Sequence, residues 1–293
     1  MSADSRVFDR ALARRRMQRA VEGGYPDFLL TRAAEDLEER LSTVLRQFDR
    51  AADLGTMLPM AGGALAGKVG HLVRMAEVAG TAADLVGDVE RLPFAAESLD
   101  IAVSLLALQG VNDLPGALIQ IRRALRPDGL FIGCLLAGRT LQELRQVLIE
   151  AEAETTGGVS PRVAPFADLR DLGSLLQRAG FALPVVDSEL VTVRYGDMFG
   201  LLRDLRALGW TNTLVQRSRR GLPRSVLLRA AALYAERFAD PDGRLPASFE
   251  MVWLSGWAPH ESQQKPLRPG SAKARLADAL KTVEQGAGDE AGR

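Results

Sequence analysis

Leu92-Pro93-Phe94, with Asp88 and Glu90 just ahead of it, is followed by Val111-Asn112-Asp113-Leu114-Pro115 and then by Arg126-Pro127-Asp128-Gly129-Leu130. Two apolar runs of strand length, Leu99 to Leu106 and Leu130 to Leu136, lie among these landmarks. Between the runs, Leu114 to Leu125 has the spacing of a helix, with Asp113 as its N-cap and Pro115 in its first turn. Pro127-Asp128-Gly129 stops that helix in a turn and launches the next strand. Strands alternating with helices imply a parallel sheet covered by helices on both faces. In such sheets ligands bind beyond the carboxyl ends of the strands, near the topological switch point. This stretch reads as the second half of a nucleoside-binding α/β domain.

Further strands extend the pattern toward the N-terminus. Ala51 to Leu54 fits a first strand, Gly70 to Met75 a second and Ala83 to Gly87 a short third. Before them, Phe8 to Ala20 is an arginine-rich amphipathic helix and Phe28 to Phe48 a longer one, with Leu29, Leu30, Leu37, Leu41, Val44 and Leu45 as its apolar positions. After Leu136 the chain turns mostly helical. Helices are expected over Thr140 to Glu154, Asp168 to Ala179 (ended by Gly180), Met198 to Leu208 and Arg224 to Phe238. A strand pair is expected around Val185–Asp187 and Leu190–Arg194, and a late strand over Glu250 to Trp257. The division expected is a helical segment over 1–49, an α/β domain with helical insertions over 50–264, and a flexible tail over 265–293.

Composition bounds the partners. The 37 Lys and Arg equal the 37 Asp and Glu, so no global field draws the chain to nucleic acid or to anionic lipid. Local basic clusters remain, at Arg14-Arg15-Arg16 and at Arg217, Arg219 and Arg220. Cys134 is the sole cysteine, which excludes an internal disulfide and a multi-cysteine metal site. With only His71 and His260, no metal site is expected. No run approaches the roughly 18 apolar residues of a membrane span, and the N-terminus lacks a secretory core. A soluble, cytoplasmic protein is the expectation.

A nucleoside bound in this fold makes three demands: a glycine turn after the first strand, an acid at the end of the second for the ribose, and an acid after the third for the base. Asp53-Leu54-Gly55 begins the first, but Thr56-Met57-Leu58-Pro59-Met60 follows with bulky side chains. The second strand ends Arg74-Met75-Ala76, and Glu77 serves the ribose only through a one-residue shift. Asp88, followed by Val89, stands directly after the third strand. Asp53, Gly55, Asp88 and Val89 are the candidate binding residues; Asp53 also reads as a helix cap and Asp88 as a turn acid.

These motifs carry a resemblance over Phe8-Asp9-Arg10 to about Ser271. The chain resembles the mitochondrial complex I assembly factor 5 family and its alphaproteobacterial relatives, which are similar to the biotin-synthesis methyltransferase BioC. Its more specific pieces include Val111-Asn112-Asp113-Leu114-Pro115, Gly138-Arg139-Thr140-Leu141-Gln142-Glu143-Leu144-Arg145, Gly157-Gly158-Val159-Ser160-Pro161 and His260-Glu261-Ser262-Gln263. The resemblance implies a class I, Rossmann-like methyltransferase fold of about seven mostly parallel strands, with N-terminal helices and a helical elaboration after strand five. It also implies S-adenosylmethionine as cofactor and a respiratory complex I subunit as protein client, met in the cytoplasm or peripherally at the inner membrane. Asp53 and Gly55 match the start of the family's glycine motif, and Asp88 its acid after strand three. The family has cysteine, glycine, arginine, glycine where this chain has Thr56 to Pro59, an acid where it has Met75 or Ala76, and His-Trp where it has Gln109-Gly110.

Two functions follow from that mixture. One is a protein-modifying enzyme, carrying out methyl transfer or arginine hydroxylation with the target entering near Asn112. The other is a non-catalytic assembly scaffold in which Met57 and Leu58 fill a degenerate cofactor site. No catalytic residue is assigned: Cys134 reads as a buried small hydrophobe, His260-Glu261 as a hydrogen-bonded loop, and Trp253 and Trp257 as core.

Overall fold

A computed structural model describes residues 6–263; the tail expected from 265 lies outside them. Two helices open the chain, α1 (Arg10–Glu22) and α2 (Phe28–Ser42). The Asp9 carboxylate caps α1 by accepting from the Leu12 N–H. The helix expected to reach Phe48 therefore ends earlier, at Ser42. Leu45, which the apolar spacing places on the helix stripe, is 94% exposed, whereas Phe48 is buried as the first residue of β1 (Phe48–Leu54). Helical periodicity alone does not register that handover from helix to strand.

The remaining elements are α3 (Met60–Ala64), β2 (Val69–Ala76), β3 (Leu85–Val86), β4 (Leu99–Leu105), α4 (Leu114–Ala124), β5 (Leu125–Leu136), α5 (Gln142–Thr156), α6 (Leu169–Arg178), β6 (Ala182–Tyr195), α7 (Met198–Ala207), α8 (Arg224–Phe238) and β7 (Leu245–Trp257). They build one seven-stranded sheet of order β3-β2-β1-β4-β5-β7-β6. Neighbours from β3 to β5 pair in parallel, and β7 runs antiparallel between β5 and β6. Asp113 caps α4 through the Gly116 N–H, with Pro115 in the first turn.

Two local expectations are corrected. Pro127-Asp128-Gly129 is a bulge inside β5 and not a turn ahead of it: pairing jumps from Leu99–Leu125 to Ile101–Leu130, with Asp128 at φ 63°. The strand pair expected around residues 185 to 194 is a single strand, β6. Ser188 and Glu189 stay in register with Val252 and Met251, so the polar residues that suggested a break simply lie on β6.

Burial explains why the central strands read as continuous apolar runs. In β5, Leu130, Ile132, Cys134 and Leu136 join the core formed with α2, α5, α7 and α8, while Phe131 and Leu135 join that formed with α4 and α6. Ile101, Val103 and Leu105 of β4 join the first core, and Leu99 and Ala102 the second. Trp253 lies fully buried on the first face, with the Arg40 guanidinium 4.5 Å from its ring centroid. Among the described residues no helix is long and apolar enough to cross a membrane.

Candidate functional site

Strand order reverses at β1, which has β2 on one side and β4 on the other. Three segments leave the carboxyl ends there: Gly55 after β1, Glu77 after β2 and Leu106–Gly110 after β4. With α1 and the loops beyond α5 and α7, they bound a cavity of about 880 Å³. Gly55 adopts φ 83°, and a Cβ added to it would stand 2.8 Å from the Ala107 Cβ and 3.0 Å from the Val89 Cγ1. Only glycine lets the chain turn through that gap. The Thr56 hydroxyl accepts from the Leu105 N–H at 3.1 Å, tying the turn to β4. Met57 lines the cavity. Leu58 does not; it packs half-buried against the main core.

The expected binding residues separate. Gly55 faces the cavity, while Asp53, Asp88 and Val89 lie outside its wall. Asp53 is 1% exposed and sits opposite Arg74 across β1 and β2. Their closest approach, Nε to Oδ2, is 3.5 Å, a long ion pair and not a hydrogen bond. Burial pushes the Asp53 carboxyl up to about 7, against the lowering influence of Thr56 and Arg74. Val89 packs behind Gly55.

Of the acids that follow the strands, Glu77 is one that reaches the cavity. Its carboxylate accepts from Arg10 and, at 3.4 Å, from the Val89 N–H. Burial raises the Glu77 carboxyl, and the Arg10 guanidinium offsets part of that rise. Asp88 accepts from Arg10 at 3.1 Å, pairs with Arg14, and accepts from the Glu90 N–H at 3.0 Å. Burial alone would raise Asp88; the Glu90 N–H and the two arginines outweigh it and leave the carboxyl lowered. Arg10 also donates to the Gly110 carbonyl at 3.2 Å, so one guanidinium bridges the exits of β2 and β4 and the Asp88 turn.

Asn112 holds α1 in that position. Its Oδ1 accepts from the Val7 and Phe8 N–H groups at 2.9 and 2.8 Å, and its Nδ2 donates to the Phe8 carbonyl at 3.1 Å. Phe8 forms a bridge with Leu214, and the Asp9 N–H donates to the Thr213 carbonyl at 2.8 Å. The residue expected beside the target is thus a clamp on the N-terminal backbone.

At the far end of the cavity, the Gly138-to-Leu141 motif is a turn fixed to β7. The Arg139 N–H and Nε donate to the two Glu250 carboxylate oxygens at 2.8 and 2.9 Å, and the Leu141 N–H donates to the Ser248 carbonyl at 2.7 Å. Thr140 and Leu141 thereby reach the cavity wall. Glu152 of α5 orders the next loop, accepting from the Ser160 N–H at 2.9 Å and from Arg162, and that loop carries Phe166 to the wall. Trp210 and Arg217 complete the site from a segment the sequence left without function, apart from its cluster of arginines. Cys134 is fully buried in β5, where desolvation raises its thiol well above the ordinary range. The His260 Nδ1 lies 2.7 Å from the Ser262 hydroxyl.

Strand order, antiparallel β7 and a crevice at the β1 exit define a class I S-adenosylmethionine-dependent methyltransferase fold. A family model described as a methyltransferase domain matches residues 69–133. The chain is 38% identical to "Arginine-hydroxylase NDUFAF5, mitochondrial" of Homo sapiens, with 93% of this chain and 83% of that protein covered. It is 32% identical to the malonyl-[acyl-carrier protein] O-methyltransferase of a Methylovorus strain, over 97% of each. The solved YcgJ protein of Bacillus subtilis shares the fold at a TM-score of 0.53 and 13% identity, covering 77% of this chain and 99% of that one. The chain belongs to the NDUFAF5 family of methyltransferase-like proteins.

Proposed function

We propose that this chain binds S-adenosylmethionine and modifies a protein client in the assembly of respiratory complex I. The observation that carries this reading is the open cavity at the β1 and β2 exits, bounded by Gly55 and Glu77. Gly55 lets the backbone approach a ligand closely. Glu77 supplies a carboxylate at the cavity wall, in the role that Met75 and Ala76 cannot fill. When bound, the cofactor supplies an electrophilic methyl group on a sulfonium, leaving the protein to orient the acceptor and exclude water. The apolar wall of Leu136, Leu144 and Phe166 suits that exclusion.

A second reading, a non-catalytic scaffold, draws on a different observation. Arg10 and Arg14 already satisfy Glu77 and Asp88 from within the chain, and Met57 packs where the family has glycine. Calorimetry separates the two. The enzyme reading expects sub-millimolar binding of S-adenosylmethionine, weakened about tenfold by Glu77→Gln through loss of a charged acceptor. Absence of heat with both the cofactor and its demethylated product would leave the scaffold reading. Mass spectrometry of the client then reports the chemistry: a gain of a methylene group for methyl transfer, or of an oxygen atom for hydroxylation.

A further inference from the structure

The mouth of the cavity is cationic beyond what its own acids balance. Arg15 and Arg16 of α1 and Arg217, Arg219 and Arg220 of the loop after α7 all stand at its wall. The acids at that wall are Asp9 and Glu77, and both are engaged, Asp9 by Arg217 at 3.4 Å and Glu77 by Arg10. Among the described residues, Arg15, Arg16, Arg219 and Arg220 have no carboxylate within ion-pair distance; the Arg16 guanidinium donates to the Asn212 carbonyl instead. Arg16 is lowered first by burial and then by Arg217, with Asp9 offsetting part of that and Arg19 and Arg206 adding to it. With the whole chain neutral, this is a local concentration of charge. Apolar groups adjoin it: Val7 and Val215 are 42% and 48% exposed and linked through the Val215 N–H and the Val7 carbonyl. Trp210 and Leu222 also line the cavity.

We propose that this rim docks an acidic segment of the client protein, whose Asp and Glu side chains pair with Arg15, Arg219 and Arg220 while one neighbouring side chain enters the cavity. Crowded, unpaired cations store repulsion that an anionic partner relieves, and such complementarity sets orientation and encounter rate. The exposed valine pair beside the arginines favours a peptide, whose apolar side chains it can cover while the acids meet the guanidinium groups. The rim rests on the proposed function only for the partner being a protein; its test needs no cofactor.

The test is fluorescence anisotropy of the full chain with a fluorescein-labelled Glu-rich peptide, run without cofactor beside phosphatidylglycerol vesicles and a single-stranded RNA oligomer. The expected result is binding of the peptide that weakens about tenfold on raising the salt severalfold, as exposed charge pairs are screened. A comparable loss is expected in the double variant Arg219→Glu/Arg220→Glu, with an unchanged melting temperature because both side chains are exposed. Quenching of Trp210 fluorescence by the peptide, abolished in Trp210→Phe, would show that the probe reaches the cavity mouth. No peptide binding, binding indifferent to the double variant, or tighter binding of vesicles or RNA with the same sensitivity to it would overturn the proposal. Failure of cofactor calorimetry with intact peptide binding would strike the proposed function and leave the rim standing.

Discussion

Asp53 and Arg74 face each other inside the sheet, and their pairing sets a pH dependence that sequence could not reveal. Folding buries Asp53 to 1% exposure at 3.5 Å from a single guanidinium nitrogen, too far for a hydrogen bond to repay desolvation. Its carboxyl rises from 3.8 to about 7 on folding. Below pH 3.8 both states carry the proton; between 3.8 and about 7 the folded state holds it while the unfolded state has released it. Stability from this group is therefore complete below 3.8, declines as pH rises from there to about 7, and is level above it. Asp53→Asn removes the titration. Relative to the parent, the variant should gain on the order of 1–4 kcal/mol between pH 5 and pH 8 in urea unfolding. Parallel pH profiles for the two proteins would refute that assignment. The sequence marked Asp53 as a candidate binding residue because, with Gly55, it matches the start of the glycine motif after the first strand. Its burial and its pairing in register with Arg74 were not legible without the sheet.

At the scale of elements, α1 links the Glu77 end of the cavity to its mouth. Charge clusters on an amphipathic helix ordinarily form a solvated face. Two features turn that of α1 inward: Asn112 pins the backbone just ahead of the helix, and Glu77 and Asp88 provide the charge that draws Arg10 and Arg14 down. Arg10→Ala leaves two carboxylates near each other, with the Glu77 side chain 16% exposed, and should destabilise the fold by about 2–4 kcal/mol at neutral pH. Adding Glu77→Gln should recover part of that loss by removing one charge. A double-mutant cycle in guanidinium reads the coupling directly; additive effects would mean that the bridge contributes nothing. Strand positions were more legible than this contact, since β4 and the 130–136 stretch of β5 are buried on both faces and read as apolar runs between turn residues. The single long β6 was not. Its register is set by β7, more than fifty residues later in the chain for most pairs, and nothing local to Ser188-Glu189 records that partner.

Across the whole molecule, the second half of the sheet and its helices do more than complete the fold. Motifs that read as family marks become structural once β7 is in place: Glu250 fastens the Arg139 turn, and Glu152 fastens the loop through Arg162. Both loops close one cavity with the β1 and β2 exits. A ligand seated in the Gly55–Glu77 end should therefore stabilise the molecule as a unit and not merely order a loop. At a hundredfold excess over its dissociation constant, S-adenosylmethionine contributes about 2.7 kcal/mol to the folded state. For a chain of this size that should raise the melting temperature by roughly 5 °C in one cooperative transition. Glu77→Gln should shrink the rise at fixed cofactor concentration, because occupancy falls with affinity. Asp53→Asn should leave it nearly intact, since that carboxyl lies outside the cavity wall. A rise abolished by Asp53→Asn but untouched by Glu77→Gln would reverse the assignment of the two acids. No rise with the parent would mean that the cavity does not hold this cofactor, and that Arg10 is the permanent partner of Glu77.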